Sequence, residues 1–189
     1  CGGRPNTIDG NNYKQFIGPD GEPSSKLIVE GANLFNTAEA RQKLYETAGV
    51  SIVKDSSANK GGVITSSYEI CAAMLLSEDE FFEHKDAIVE EVLEKLRGLA
   101  KLEAELLFRE AQNYGEALPD VSKIISDAIN AATDALSAAL DTLSEEDQDQ
   151  LLPLFRAHLP KTLADLSFDR VHERVPAQYI KNAIASTLA

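Results

Sequence analysis

The sequence is poor in the residues from which several common sites are built. Among 189 residues there are two cysteines, Cys1 and Cys71, without paired spacing and without a companion histidine cluster. That excludes a disulfide framework and a zinc site and fits a reducing compartment, so a cytoplasmic location is expected. The three histidines, His84, His158 and His172, are scattered over expected helical surface or loop, where an isolated histidine reads as a structural residue. No metal site is expected. Basic residues are outnumbered: 18 Lys and Arg against 31 Asp and Glu give a net charge of −13. A chain of that sign without a basic stripe repels a nucleic-acid backbone and an anionic membrane surface. No run approaches the roughly 20 apolar residues of a membrane span. Neither an internal repeat, a low-complexity tract nor a signal-like apolar stretch is present. The sequence starts at Cys1 as if at the end of a buried strand, so it reads as a piece of a longer polypeptide.

A hydrophobic content of 43% is that of an ordinary globular protein. The charge is uneven. Residues 1–76 hold eight acids and seven bases, net −1, whereas residues 77–189 hold 23 and 11, net −12. An anionic ligand meets little penalty over the first part, and the second part has the composition of a solvated helical surface.

Residues 6–25 are dense in Asn, Gly, Pro and Ser and read as a loop with one short helix around Tyr13 to Ile17. Leu27-Ile28-Val29 is a continuous apolar run of the kind buried on both faces of a parallel sheet. Asn36-x-x-Glu39 has the spacing of a capping box, Ala40, Leu44 and Tyr45 share a helical face, and Gly49 marks the helix end. Val50 to Val53 then supplies a second strand. Asn59-Lys60-Gly61-Gly62-Val63 follows and reads as a ligand loop feeding a helix, because adjacent glycines let a backbone approach a bound group and the amides at a helix start face outward as donors. Glu30-Gly31-Ala32-Asn33 ends the first strand in the same manner, so two strand ends imply one shared crevice. Beyond it a helix over Val63 to Leu76 is expected with Ile70, Ala73 and Met74 on one side, then a helix opened by Ser77-x-x-Glu80. Apolar positions Ile88, Val92, Leu96, Leu99, Leu102 and Leu106 form a long helical stripe that invites a kink near Gly98. Leu118-Pro119-Asp120 breaks it. Val121 to Leu143 forms a further helix with a small-residue face (Ala128, Ala132, Ala135, Ala139), Leu151 to Leu159 follows around Pro153, and a last helix starts at Pro176.

The ordered motifs Glu30-Gly31-Ala32-Asn33, Asn59-x-Gly61-Gly62-Val63 and Ser66-x-x-Glu69, with Cys1-Gly2-Gly3-Arg4-Pro5 upstream, resemble the coenzyme domain of the amino-acid dehydrogenases. The longer strings Ile28 to Phe35 and Lys54 to Tyr68 are similar to large-subunit NAD-specific glutamate dehydrogenases. The resemblance covers roughly residues 1–76 and fades to a general likeness from Val175 onward. It implies a partial Rossmann-like coenzyme domain, with parallel strands and a crossover helix, over residues 1–76; with the all-helical C-terminal region that the residue pattern of 77–189 predicts, the expected fold class is α/β. The implied reaction is oxidative deamination of L-glutamate to 2-oxoglutarate and ammonium with NAD as cofactor. Asn33 and Asn59 are assigned to the nicotinamide amide and ribose; read without the resemblance, they also fit turn caps. Gly31, Ala32, Gly61 and Gly62 are assigned to a low crevice wall. Gly2 and Gly3 read either as lining the same trough or as a plain strand-to-loop turn. Ser66 is assigned to the substrate's side-chain carboxylate, with Thr65 and Ser67 as neighbouring alternatives, and Lys60 reads as a mark of the large-subunit class or as a solvent-facing lysine. No G-x-G-x-x-G is present, so the pyrophosphate turn belongs to upstream domains of the same chain, as do the family's catalytic lysine and aspartate. No residue here takes a catalytic role, and the piece alone is expected to be inactive. Homo-oligomerisation of the full-length protein is expected. The alternative reading is a helical regulatory or oligomerisation module of a larger protein.

Overall fold

The computed structural model describes residues 3–189, without the side chain of residue 145. The chain divides into two compact units, one comprising residues up to Gly62 together with Leu99–Ile125 and the other Val63–Gly98 with Ser126–Ala189.

In the first unit a 3-10 helix, Tyr13–Phe16, interrupts the Asn- and Gly-rich opening. Strand β1 (Leu27–Val29) leads through helix α1 (Ala38–Ala48) to strand β2 (Ser51–Val53), which pairs with β1 in parallel, Ile28 opposite Ile52. The cap of α1 lies one residue later than its sequence spacing implies. Thr37 is the N-cap, its Oγ1 accepting from Ala40 N at 3.1 Å, while the Asn36 side chain is buried and donates to Glu30. Gly49 closes the helix at φ 62°, where its N–H reaches Tyr45 O, and Val50 N reaches Leu44 O. That left-handed step is where a glycine is needed. Ala40, Leu44, Val50, Ile52 and Tyr13 make the core of this region, with Tyr45 left 40% exposed. The expectation that β1 is buried on both faces fails among the described residues: Leu27 is 45% and Val29 60% exposed, because α1 and the 3-10 helix cover the other face, where Ile28 packs.

A one-turn helix, α2 (Asp55–Ala58), leaves β2, and helix α3 (Gly61–Leu75) follows. The glycine pair is therefore the opening of a helix and not a loop. Tyr68, Cys71, Ala72 and Leu75 form the buried face of α3, whereas Ile70 and Ala73 are exposed. Of the three residues expected on one side only Met74 is half-buried against the core, because α3 is rich in apolar residues beyond its buried face and periodicity is weakest in such a segment. Helix α4 (Glu78–Tyr114) runs through Gly98 without interruption. It is opened by the expected capping box, with Ser77 N donating to Glu80 Oε2 at 2.8 Å and Glu80 N to Ser77 Oγ at 3.3 Å. The expected apolar stripe of α4 is buried at Ile88 and Val92 but exposed at Leu99 and Leu102, and Leu107 is the buried residue further along. Helix α5 (Leu118–Asp141) includes Pro119 in its first turn, so the Leu-Pro-Asp triplet starts the helix. Its small-residue face is largely exposed at Ala128, Ala135 and Ala139.

The rest is helical: α6 (Glu145–Asp149), α7 (Leu152–His158) with Pro153 in its first turn, α8 (Lys161–Ser167), α9 (Val171–Arg174) and α10 (Ala177–Leu188), which starts directly after Pro176. The second unit's core gathers Leu75, Ile88, Val92, Phe155, Leu163, Val171, Ile184 and Ala185. Burying a side chain such as Phe155, fully enclosed here, contributes about 1.5–3 kcal/mol. Arg170 holds the turn between α3 and α4 from outside that core, donating to Leu75 O and to both carboxylate oxygens of Glu80.

Candidate functional site

The carboxyl ends of β1 and β2 carry the residues that the sequence singled out. Parallel register sets Val29 beside Val53, so the segments that follow, Glu30 to Asn36 and Lys54 to Asn59, leave the sheet side by side. Crevices at the carboxyl ends of parallel strands are where open α/β sheets bind ligands.

Glu30 continues the pairing, its N–H donating to Val53 O at 3.0 Å, and its side chain turns inward. That buried carboxylate accepts from Asn36 Nδ2 (2.6 Å), from Arg41 Nε (3.0 and 3.1 Å) and Arg41 Nη2 (2.5 Å), and from the Asp55 amide (3.1 Å). A buried charge survives only when it is neutralised and fully hydrogen-bonded, and Arg41 provides the two-pronged partner. Asp55 in turn accepts from Leu34 N at 2.7 Å and Ser56 N at 2.9 Å, with Arg41 Nη2 at 3.4 Å. Burial alone raises the Asp55 pKa, but the two amides and the nearby guanidinium outweigh it and hold the carboxyl below its ordinary value. Sequence reading missed this network. Its members are ordinary charged residues 11 to 25 positions apart, and only the parallel pairing of the strands brings them together.

The two asparagines meet. Asn59, at the end of α2, donates its Nδ2 to Asn33 Oδ1 and lies 3.5 Å from Gly31 O. Gly31, Gly61 and Gly62 have ordinary backbone conformations rather than positive φ, and a Cβ built on any of them meets nothing within 4 Å. Neither a sharp turn nor internal packing calls for glycine there; the backbone faces open space. Ala32 is half-buried in the turn between Gly31 and Asn33. Gly3 differs from the other glycines, since a Cβ on it would strike the Phe35 ring. Gly2 lies outside the described residues. Ser66 is exposed on the second turn of α3, and Ser67 Oγ is bound to Ile64 O at 2.7 Å. Lys60 is not a free surface lysine: its Nζ is 2.7 Å from Glu103 Oε1 on α4.

Two backbone features stiffen this edge. Leu34 and Asn6 both have left-handed conformations, at φ 55° and 59°, and Asn6 N donates to Leu34 O at 2.7 Å. A left-handed leucine is strained, and such strain clusters at functional sites. Asn36 Oδ1 is buried without a hydrogen-bond partner among the described residues. No group of three or more His, Cys, Asp or Glu able to hold a metal occurs among the described residues. His158 lies against the Tyr68 and Phe155 rings, and burial pushes its pKa down, as in a packed structural imidazole. No described helix is long and apolar enough to cross a membrane.

A family profile for glutamate/leucine/phenylalanine/valine dehydrogenases matches residues 1–135. The chain belongs to that family. Among curated proteins, this dehydrogenase chain is 37% identical over 201 aligned positions to glutamate dehydrogenase 2 of Dictyostelium discoideum, which matches all of it and of which it spans 19%. It is 36% identical to the NAD-specific glutamate dehydrogenase of Neurospora crassa, spanning 19% of that protein, and 34% identical to that of Saccharomyces cerevisiae, spanning 18%. The chain thus spans about a fifth of the length of the curated relatives that it matches. No solved structure matches it.

Proposed function

We propose that this dehydrogenase chain is a segment of an NAD-dependent glutamate dehydrogenase that oxidatively deaminates L-glutamate to 2-oxoglutarate and ammonium. Residues 1–76 are the second half of a Rossmann-like dinucleotide-binding domain, and residues 77–189 a helical C-terminal region. The observation that carries the reading is the Asn33–Asn59 contact at the carboxyl ends of two parallel strands. Between them the two side chains carry amide donors and acceptors, the chemistry that complements a primary carboxamide such as that of nicotinamide. Open space over Gly31, Gly61 and Gly62 supports the fit, because a flat ring can lie against backbone there. When bound, NAD supplies the hydride acceptor. This segment's own residues orient it: Asn33 and Asn59 fix the carboxamide, and the three glycines with Ala32 keep the wall low. Ser66, the position the family resemblance assigns to the substrate's distal carboxylate, would favour glutamate over apolar amino acids by offering that carboxylate a hydroxyl donor. The groups that transfer protons lie in the rest of the enzyme, so the segment alone is inactive.

The test is glutamate-dependent NAD reduction by the full-length enzyme. Asn59→Ala should lower turnover at least tenfold, and Ser66→Ala should raise the glutamate KM or abolish turnover, with folding unchanged in both. Unchanged kinetics in both variants would refute the site. A second reading, an oligomerisation role for the helical region of a homo-oligomer, draws on exposed Leu102 of α4 and Ile124 of α5, at 64% and 61%. It predicts that Leu102→Glu and Ile124→Glu shift the full-length enzyme to a smaller species in sedimentation without touching KM.

A further inference from the structure

Asp55 is bonded to both asparagine-bearing segments. Its carboxylate Oδ2 accepts from Leu34 N at 2.7 Å, the amide directly after Asn33, and its backbone carbonyl accepts from Asn59 N at 3.0 Å. Its own N–H is tied to the buried Glu30 carboxylate, so the residue is anchored from below. Leu34 is left-handed and 59% exposed. Packing therefore does little to hold that conformation; the bonds from Asp55 on one side and Asn6 on the other do. If Leu34 relaxes to an ordinary backbone region, the peptide before it rotates and Asn33 Oδ1 leaves Asn59 Nδ2.

We propose that Asp55 is a positioning residue: through Leu34 its carboxylate sets the turn that keeps the Asn33 side chain against Asn59, so the two amides face a ligand as one preformed unit. The inference rests on the reading that this pair takes the carboxamide end of the cofactor, but the geometry it asserts stands apart from that reading. Preorganisation of this kind spares the ligand the cost of ordering its own site. It also explains why a charged residue sits at a strand exit without touching the open face itself. Leu34 N requires an acceptor rather than a negative charge, and an asparagine oxygen supplies one although its NH2 then faces the Ser56 amide and Arg41, so asparagine at this position should serve in part where alanine does not.

Two measurements separate the inference from the reading beneath it. In the 189-residue chain, nitrogen-15 NMR follows the Asn59 side-chain NH2. Asp55→Ala should move that signal to the position of a free exposed asparagine while α1 amides stay in place, and Asp55→Asn should restore part of the native shift. An unmoved Asn59 signal in Asp55→Ala overturns the proposal, as does equal disturbance in Asp55→Asn. In the full-length enzyme, Asp55→Ala should raise the NAD KM about tenfold with the glutamate KM changed less than twofold, and it should add nothing in an Asn59→Ala background. Multiplying losses in that double variant would show that Asp55 acts apart from the pair and would also overturn the proposal. Should the NMR signal move while Asn59→Ala leaves NAD kinetics intact, the positioning stands and the cofactor reading falls.

Discussion

Removing Arg41 tests the account of the site's foundation. In Arg41→Ala the Glu30 carboxylate, with its side chain 1% exposed, keeps the Asn36 and Asp55 donors but loses its countercharge and three of its five hydrogen bonds. Breaking a buried pair from one side costs about 3–5 kcal/mol, because the surviving charge is neither solvated nor neutralised. Adding Glu30→Gln should recover part of that loss. The two donors use different carboxylate oxygens, so the glutamine oxygen keeps only one of Asn36 and Asp55, but no charge is left to desolvate. The single change Glu30→Gln should cost less, about 1–3 kcal/mol, since Arg41 retains Asp55 at 3.4 Å and a side chain 12% exposed. Urea denaturation followed by far-ultraviolet dichroism measures the three variants, and hydrogen exchange at the α1 amides assigns the loss to that unit. Coupling between the two sites should exceed about 1 kcal/mol in the cycle. An Arg41→Ala loss below about 1 kcal/mol, or a double variant worse than the sum of the singles, would refute the claim that a buried charge pair supports the strand ends.

Three further outcomes follow from other parts of the chain. Glu80 is held at about 2, below its ordinary 4.5, first by Arg170 and then by the Ser77 amide and hydroxyl; its contribution is complete above about pH 4.5 and is lost as pH falls towards 2. Replacing it with glutamine should flatten the stability profile in that window, and an unchanged slope between pH 4.5 and 2 would count against the Arg170 clamp. Gly49→Ala, at φ 62°, should destabilise by about 1 kcal/mol, whereas Gly98→Ala in the exposed interior of α4 should stabilise by a similar amount, since its Cβ meets nothing; thermal melts giving both changes the same sign would contradict the helix assignments. Burial pushes the Cys71 thiol up, and its Sγ lies 3.3 Å from the Tyr179 hydroxyl, so iodoacetamide should label it only after unfolding, and mass mapping that finds native-state labelling at the rate of an exposed thiol would contradict its burial.

Much of the architecture was legible because it is written in local chemistry. The Gly49 terminator, the Ser77/Glu80 cap, Pro176 before α10 and the strand-helix-strand order all depend on a few neighbouring residues, and each occurs where those residues stand. Facing was harder to read. Ile70, Ala73, Leu99 and Leu102 share helical spacing with true core residues yet are exposed, because an apolar residue is compatible with either face and only the neighbouring element decides. The Asn36 cap failed by one residue for a related reason: Asn36 and Thr37 are both good caps, and the buried Glu30 claimed the first as a donor.

The site divides along the same line, and the division says what kind of evidence each half needs. Asn33, Asn59 and the glycines could be proposed from sequence because their ordered motifs resemble a known coenzyme domain. Glu30, Arg41 and Asp55 carry none, being common residues whose meaning arises only when parallel register brings β1 and β2 together. Yet the second group determines whether the first has a fixed geometry. An Asn33 on a relaxed turn would satisfy every motif and still present its amide in many orientations, so a substitution at Asp55 that leaves all the motif residues untouched is the sharper probe of this crevice than any change to the motif itself.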